Sequence, residues 1–115
     1  MQNNFWQNLD QLILDSEIII DRTKGSAHPR FPEMIYPCDY GYLNGTTSND
    51  GNEIDVWRGC HSSSNLTAII CTVDNLKKDC EIKLLIGCSE EETNTILSFH
   101  NNSEFMSGIL IRRYD

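Results

Sequence analysis

The sequence predicts a mainly β fold, a small, partly closed β-barrel with a helix at each flank. Three observations predict it: several short β-rich runs along the chain, an amphipathic repeat at its start, and a helix-capping signature near its end. Strands this short bury their apolar faces best by curling on one another. The 115 residues suit a single domain over 1–115 and are too few for two. An apolar fraction of 39% marks a globular chain.

Each element has its own signal. Phe5, Trp6, Leu9, Leu12 and Ile13 share one face of a 3.6-residue period, and Asn3 or Asn4 can cap the start. Residues 4–15 therefore read as a helix that covers one open side of a sheet. Ser16–Asp21 is a β-branched strand. Arg22–Arg30 follows as a loop, with turn chemistry at Lys24-Gly25-Ser26 and an extended bend at His28-Pro29. Prolines interrupt Phe31–Pro37, which makes it an edge strand or irregular chain. Glu53–Trp57 is a short strand. Leu66–Val73 is continuous enough to be buried on both faces. Glu81–Gly87 pairs with it as a hairpin across the polar turn Asp74–Asp79. Ser89 and Glu92 form a capping box for a helix ending near Phe99, and Gly108–Arg112 is the last strand.

The stretch from Tyr36 to Asp55 is unlike the rest. It mixes tyrosines, glycines and spaced acids, poor material for a plain core strand, and reads as a loop leading into one. If Asp50 and Asp55 turn to one point, their carboxylates repel, and a bound cation relieves that repulsion. Oxygen donors of this kind select Mg²⁺, Mn²⁺ or Ca²⁺ over softer metals. An EF-hand does not fit: with Gly51 at its sixth position, the first and twelfth fall on Thr46 and Trp57.

Charge narrows the partners. Seventeen acids against nine bases give a net charge of −8, which argues against nucleic acid and anionic membranes. Small phosphorylated ligands remain, because a bound metal reverses the local field. Arg22, Lys24 and Arg30 cluster in one loop, either as a solvated turn or as a cationic clamp for phosphate oxygens. The five cysteines are odd in number and none is spaced as C-x-x-C, so they read as small buried apolar residues in a reducing cytoplasm. No signal-peptide pattern or membrane-spanning run is evident.

Tyr36-Pro-Cys-Asp-Tyr-Gly-Tyr42, then Asp50-Gly-x-x-x-Asp55, then Asp74-(x)₄-Asp79, resembles the soluble, β-barrel inorganic pyrophosphatases over roughly residues 17–86. The resemblance implies an OB-like barrel that hydrolyses inorganic diphosphate with Mg²⁺, Mn²⁺ being the second choice of ion. It makes Asp50, Asp55, Asp74 and Asp79 metal ligands and Tyr40 a hydrogen-bond donor near the metal-bound water. Arg30 would hold a phosphate, Arg22, Lys24 and Lys83 would take up cationic work, and Tyr36 would wall the site. It also implies homo-oligomers. The chain departs from the family pattern at several points. Asn52 replaces a carboxylate that helps activate water, Glu17 and Ile19 replace a lysine and a glutamate, and Glu81 replaces a lysine. Phe99-His100 stands where the family has a tyrosine–lysine pair. The expectation is a working but slowed diphosphatase with Asn52 at a catalytic position. The alternatives are a module that binds phosphate or nucleotide without turnover, and a hydrolase of another phosphoanhydride.

Overall fold

The computed structural model describes residues 3–114; Met1 and Gln2, part of the stretch read for leader chemistry, lie outside the described residues. The chain runs α1 (Phe5–Leu14), β1 (Ile18–Arg22), β2 (Asp39–Leu43), β3 (Ile54–Arg58), β4 (Leu66–Asp74), β5 (Asp79–Ile86), α2 (Glu90–His100) and β6 (Met106–Arg112). The strands form one sheet in the order β1-β2-β3-β5-β4-β6. Neighbours are antiparallel except β3 and β5, which run parallel. With β1 and β6 at its ends, the sheet curls without fully closing.

One expectation about the strands needs correction. Asp39–Leu43 is a strand paired on both sides, not loop. Its centre is Gly41, where a Cβ would lie 1.8 Å from the carbonyl oxygen of Ile19 in β1. Only glycine lets the β1 backbone come that close, and such an approach lets the sheet turn a corner. Phe31–Pro37 is irregular, one of the two forms expected of it. It is tied to the preceding loop by the bridge Ala27↔Ile35 and by backbone bonds between Tyr36 and both Gly25 and Ser26.

Alternation of side chains along the strands gives the sheet two faces. One face holds Leu43, Val56, Leu66, Ile69, Leu84 and Ile86, closed by Trp6, Leu9, Leu12 and Ile13 of α1. The other holds Trp57, Ala68, Ile70 and Leu85 with Tyr36 and Cys38, closed by Ile96, Leu97 and Phe99 of α2. Each fully buried large side chain contributes about 1.5–3 kcal/mol.

Local rules explain the helix starts. The α1 start is held by Asn3, whose Oδ1 accepts the Phe5 amide at 2.9 Å; Asn4 at the N-cap makes no side-chain cap bond. The Ser89–Glu92 capping box is present on α2. Glu92 does more than cap: its carboxylate accepts the Cys60 amide at 3.1 Å and the Cys38 thiol at 3.5 Å. Burial opposes its charge, but the amides of Ser89 and Cys60 and the two thiols hold its pKa down to about 2. The cysteines are only partly as expected. All are free thiols, and Cys38 and Cys88 are buried, but Cys60 and Cys80 are exposed. Among the described residues no helix is long and apolar enough to cross a membrane.

Candidate active site

The parallel pairing of β3 with β5 decides where the acids meet. Parallel strands begin at the same end of a sheet. The loop before β3 carries Asp50, and the turn before β5 lies between Asp74 and Asp79. Both therefore deliver their carboxylates to one end of the face that carries Trp57. Asp50, Asp79 and Glu81 offer ligand oxygens that all lie within 4.8 Å of one another. For octahedral Mg²⁺ with oxygens at about 2.1 Å, opposite ligands stand about 4.2 Å apart, so this spacing and donor type fit such an ion with little adjustment.

Asp50 is exposed and held from its own loop. Its Oδ1 accepts the Ser48 hydroxyl at 2.7 Å and the Asn52 amide at 2.9 Å, and Oδ2 accepts the Asn52 side-chain amide at 3.3 Å. These bonds, the Ser48 hydroxyl foremost, lower its pKa. Asn52 thus orients Asp50; an amide there takes no proton.

Asp55 and Glu81 flank a buried ammonium. Residues 79, 81 and 83 share one face of β5, so Lys83 follows the two acids into the site. Lys83 is 4% exposed. Its Nζ donates to Asp55 Oδ2 and to the Tyr40 hydroxyl, each at 2.8 Å, and lies 3.5 Å from Glu81 Oε2. Burial works against its charge, but Tyr40, Asp55 and Glu81 outweigh it and the pKa is raised. Asp55 is also held low, since the Lys83 charge overcomes its burial. Glu81 goes the other way. Burial, then its hydrogen bond to Asp55 and the charges of Asp55 and Asp79, push it up to about 7 against the pull of Lys83.

The other acid stands opposite Asp79 in the antiparallel β4–β5 ladder. Asp74 is 9% exposed, and its Oδ1 accepts the amides of Leu76 and Lys77 at 2.9 and 3.0 Å, which closes the β4–β5 turn.

Arg22, Arg30 and Lys77 gather around His28 at one edge. Arg22 donates to the Tyr36 hydroxyl, and its guanidinium lies 5.6 Å from the Tyr36 ring centre and 6.0 Å from that of Tyr40. Arg30 is exposed on the following loop, where its amide donates to His28 Nδ1 at 3.0 Å. His28 stacks on Tyr36. Its pKa is lowered by burial and then by the charges of Arg22, Lys77 and Arg30. Lys24 points its influence elsewhere, towards Cys38 and Cys60. Tyr36 is 3% exposed and packs on Tyr40, Trp57 and Phe99, a wall between the site and the core.

Sequence reasoning missed Glu81 as a carboxylate of the group and Lys77 as a cation. Period-2 alternation from Asp79 through Glu81 to Lys83 was the available signal for the first. Lys77 had no local signal.

The inorganic pyrophosphatase family model matches residues 16–76. A curated inorganic pyrophosphatase from Buchnera aphidicola subsp. Baizongia pistaciae is 61% identical over 23 residues, 20% of this chain, and the match spans only 13% of that relative's length. An inorganic pyrophosphatase structure from Coxiella burnetii superposes with a TM-score of 0.61 at 15% identity, covering 83% of this chain and 84% of that one. The Helicobacter pylori inorganic pyrophosphatase gives 0.55 at 12% identity, covering 83% and 81%. At such identities the two structures speak for the fold alone: a curled, mostly β sheet of the OB-like kind. The family model, however, takes in more than half of the sequence, including Tyr40, Asp50, Asp55 and Asp74. The chain belongs to the inorganic pyrophosphatase family.

Proposed function

We propose that this chain hydrolyses inorganic diphosphate to two phosphates with Mg²⁺, water attacking one phosphorus as the bridging P–O bond breaks. The observation that carries the reading is the parallel start of β3 and β5, which gathers Asp50, Asp79 and Glu81 at one end of the face that also carries Lys83 and Tyr40. Asp50, Asp79 and Glu81 would hold the ion. When bound, Mg²⁺ neutralises phosphate charge and acidifies a water ligand. The protein's own work is positioning. Arg22 presents a planar fork to phosphate oxygens. Tyr40 accepts from Lys83 at 2.8 Å and its hydroxyl also bonds to Asp55, so it holds both groups in place beside the acids. In-line phosphoryl transfer asks chiefly for such positioning and charge neutralisation. Asn52 supports the expected slowness: losing a general base costs about 10²–10⁴ in rate.

Phosphate release from diphosphate, with and without Mg²⁺, tests this, together with Asp79→Asn. Release that needs Mg²⁺ and falls sharply in Asp79→Asn is expected. Bound diphosphate that is never cleaved would leave a phosphate-binding module. Faster release from another phosphoanhydride in a substrate panel would reassign the substrate.

A further inference from the structure

Lys83 has consequences for how many ions the site takes. An ammonium has three donors. Here they face three oxygens: Asp55 Oδ2 and the Tyr40 hydroxyl at 2.8 Å each, and Glu81 Oε2 at 3.5 Å. The side chain is 4% exposed, and its backbone is fixed in β5 opposite Ile70 of β4. Its ammonium lies beyond the Tyr40 hydroxyl, 5.4 Å from the ring centre. A divalent ion on Asp55 Oδ2 would sit about 2.1 Å from that oxygen. It would then share with the ammonium an oxygen already hydrogen-bonded to it, in a poorly screened part of the site where like charges repel strongly.

We infer that Lys83 is a resident cation that takes a metal ion's place at Asp55, so that the chain binds a single divalent ion, at Asp50, Asp79 and Glu81. This rests on the metal-dependent reading above and refines it. Asp55 orients Lys83 and does not ligate metal. Lys83 is part of the chain itself, so this part of the site neither fills nor empties as the ion concentration changes. The sequence shows how the arrangement arises: on one face of β5, a glutamate stands two residues after Asp79 and a lysine two after that.

Mn²⁺ titration, with free ion read by electron paramagnetic resonance and heat by calorimetry, tests the inference without reference to turnover. The wild-type chain is expected to take one Mn²⁺. Asp55→Asn should keep that number, its amide oxygen still accepting from Lys83. Asp79→Asn should weaken binding by at least the about 10–100-fold that loss of an outer-shell partner costs. Lys83→Met should gain a second ion, one that Asp55→Asn in the same background abolishes. If Lys83→Met does not fold, Lys83→Gln removes the charge while keeping a donor, and Asp55→Asn alone still decides. Two or more ions on the wild type with one lost in Asp55→Asn, or none bound at all, overturns the inference, as does an unchanged count on removing the Lys83 charge. The parent reading fails differently. A chain that binds one Mn²⁺ and never cleaves diphosphate sinks hydrolysis but keeps Lys83 in place of a metal. A chain that cleaves diphosphate with an ion on Asp55 does the reverse.

Discussion

Asp55 and Trp57 stand two residues apart on β3 and point to the same face, yet they sit in opposite surroundings. Trp57 is fully buried, edge-on to Tyr40 and Phe99, and its Nε1 donates to His100 Nε2 at 2.9 Å. Asp55 pairs with Lys83 among carboxylates. Antiparallel register places Tyr40 beside Trp57 and Tyr42 beside Asp55, so the change from one to the other takes one step along both strands. Tyr40 joins the two ends, with its ring on Trp57 and its hydroxyl on Lys83. Apolar burial and ring packing stabilise the aromatic end. The acidic end gathers like charges, which repel unless a cation offsets them. Stability and binding chemistry are thus separated along one face of one sheet.

The sharpest way to test that separation is to remove the aromatic anchor. Trp57→Ala should cost about 3–5 kcal/mol of stability, as large-to-small substitutions of buried aromatics do, read as a lower urea midpoint. Mn²⁺ affinity measured on the fraction that remains folded should survive. A loss of ion binding out of proportion to unfolding would show that the two ends are one cooperative unit.

His100 offers a second, smaller test at the same end. It is 4% exposed, with Nε2 accepting from Trp57 and Nδ1 3.4 Å from the Met106 sulfur. Burial, then the charge of Lys83 and against the pull of Asp55, lowers its pKa from 6.5 to about 3. It is therefore neutral in the fold, while the unfolded chain takes up a proton as pH drops below 6.5. Between about 6.5 and about 3, stability falls as pH falls, by up to ~1.4 kcal/mol per unit from this residue. His100→Gln, which keeps an acceptor for the Trp57 indole, should flatten that slope in urea melts taken at several pH values. Parallel slopes for the two proteins would mean that His100 is already protonated in the fold.

The same division explains what the sequence could reveal. Chemistry carried by adjacent residues was legible: the Tyr36–Asp55 block, the Ser89–Glu92 cap and the β4–β5 hairpin all depend on short separations. Elements set by distant neighbours were not. Asp39–Leu43 looked like loop because Gly41 interrupts it, and the reason for the glycine is the carbonyl of Ile19, over twenty residues away. Asp74 and Asp79 have matching spacing signals and stand opposite each other on β4 and β5. Only the fold shows that Asp74 Oδ1 accepts two amides of its own turn and that Asp79 joins Asp50 and Glu81. Cys38 and Cys60 share an acceptor, Glu92 of α2, which no local pattern in the sequence announces. Glu81 looked like a lost lysine, and only the pleat of β5 shows that it adds a carboxylate and that Lys83 brings the ammonium back one step deeper.

The smallest expected effect lies at the exposed rim of the acidic end. Asn52 donates to both oxygens of Asp50, through its backbone to one and its side chain to the other. Asn52→Asp keeps the backbone bond and turns the side-chain bond into a contact between carboxylates, which screening by solvent and salt keeps weak. The melting temperature without metal should therefore drop slightly, and less so at high salt. With Mn²⁺ present the sign should reverse, because the added carboxylate stands where a ligand to the same ion helps. A drop that persists unchanged with Mn²⁺ would show that Asp50 and Asn52 do not face the ion. The acid group would then be reduced to Asp79 and Glu81, too few to hold a divalent ion beside the aromatic end.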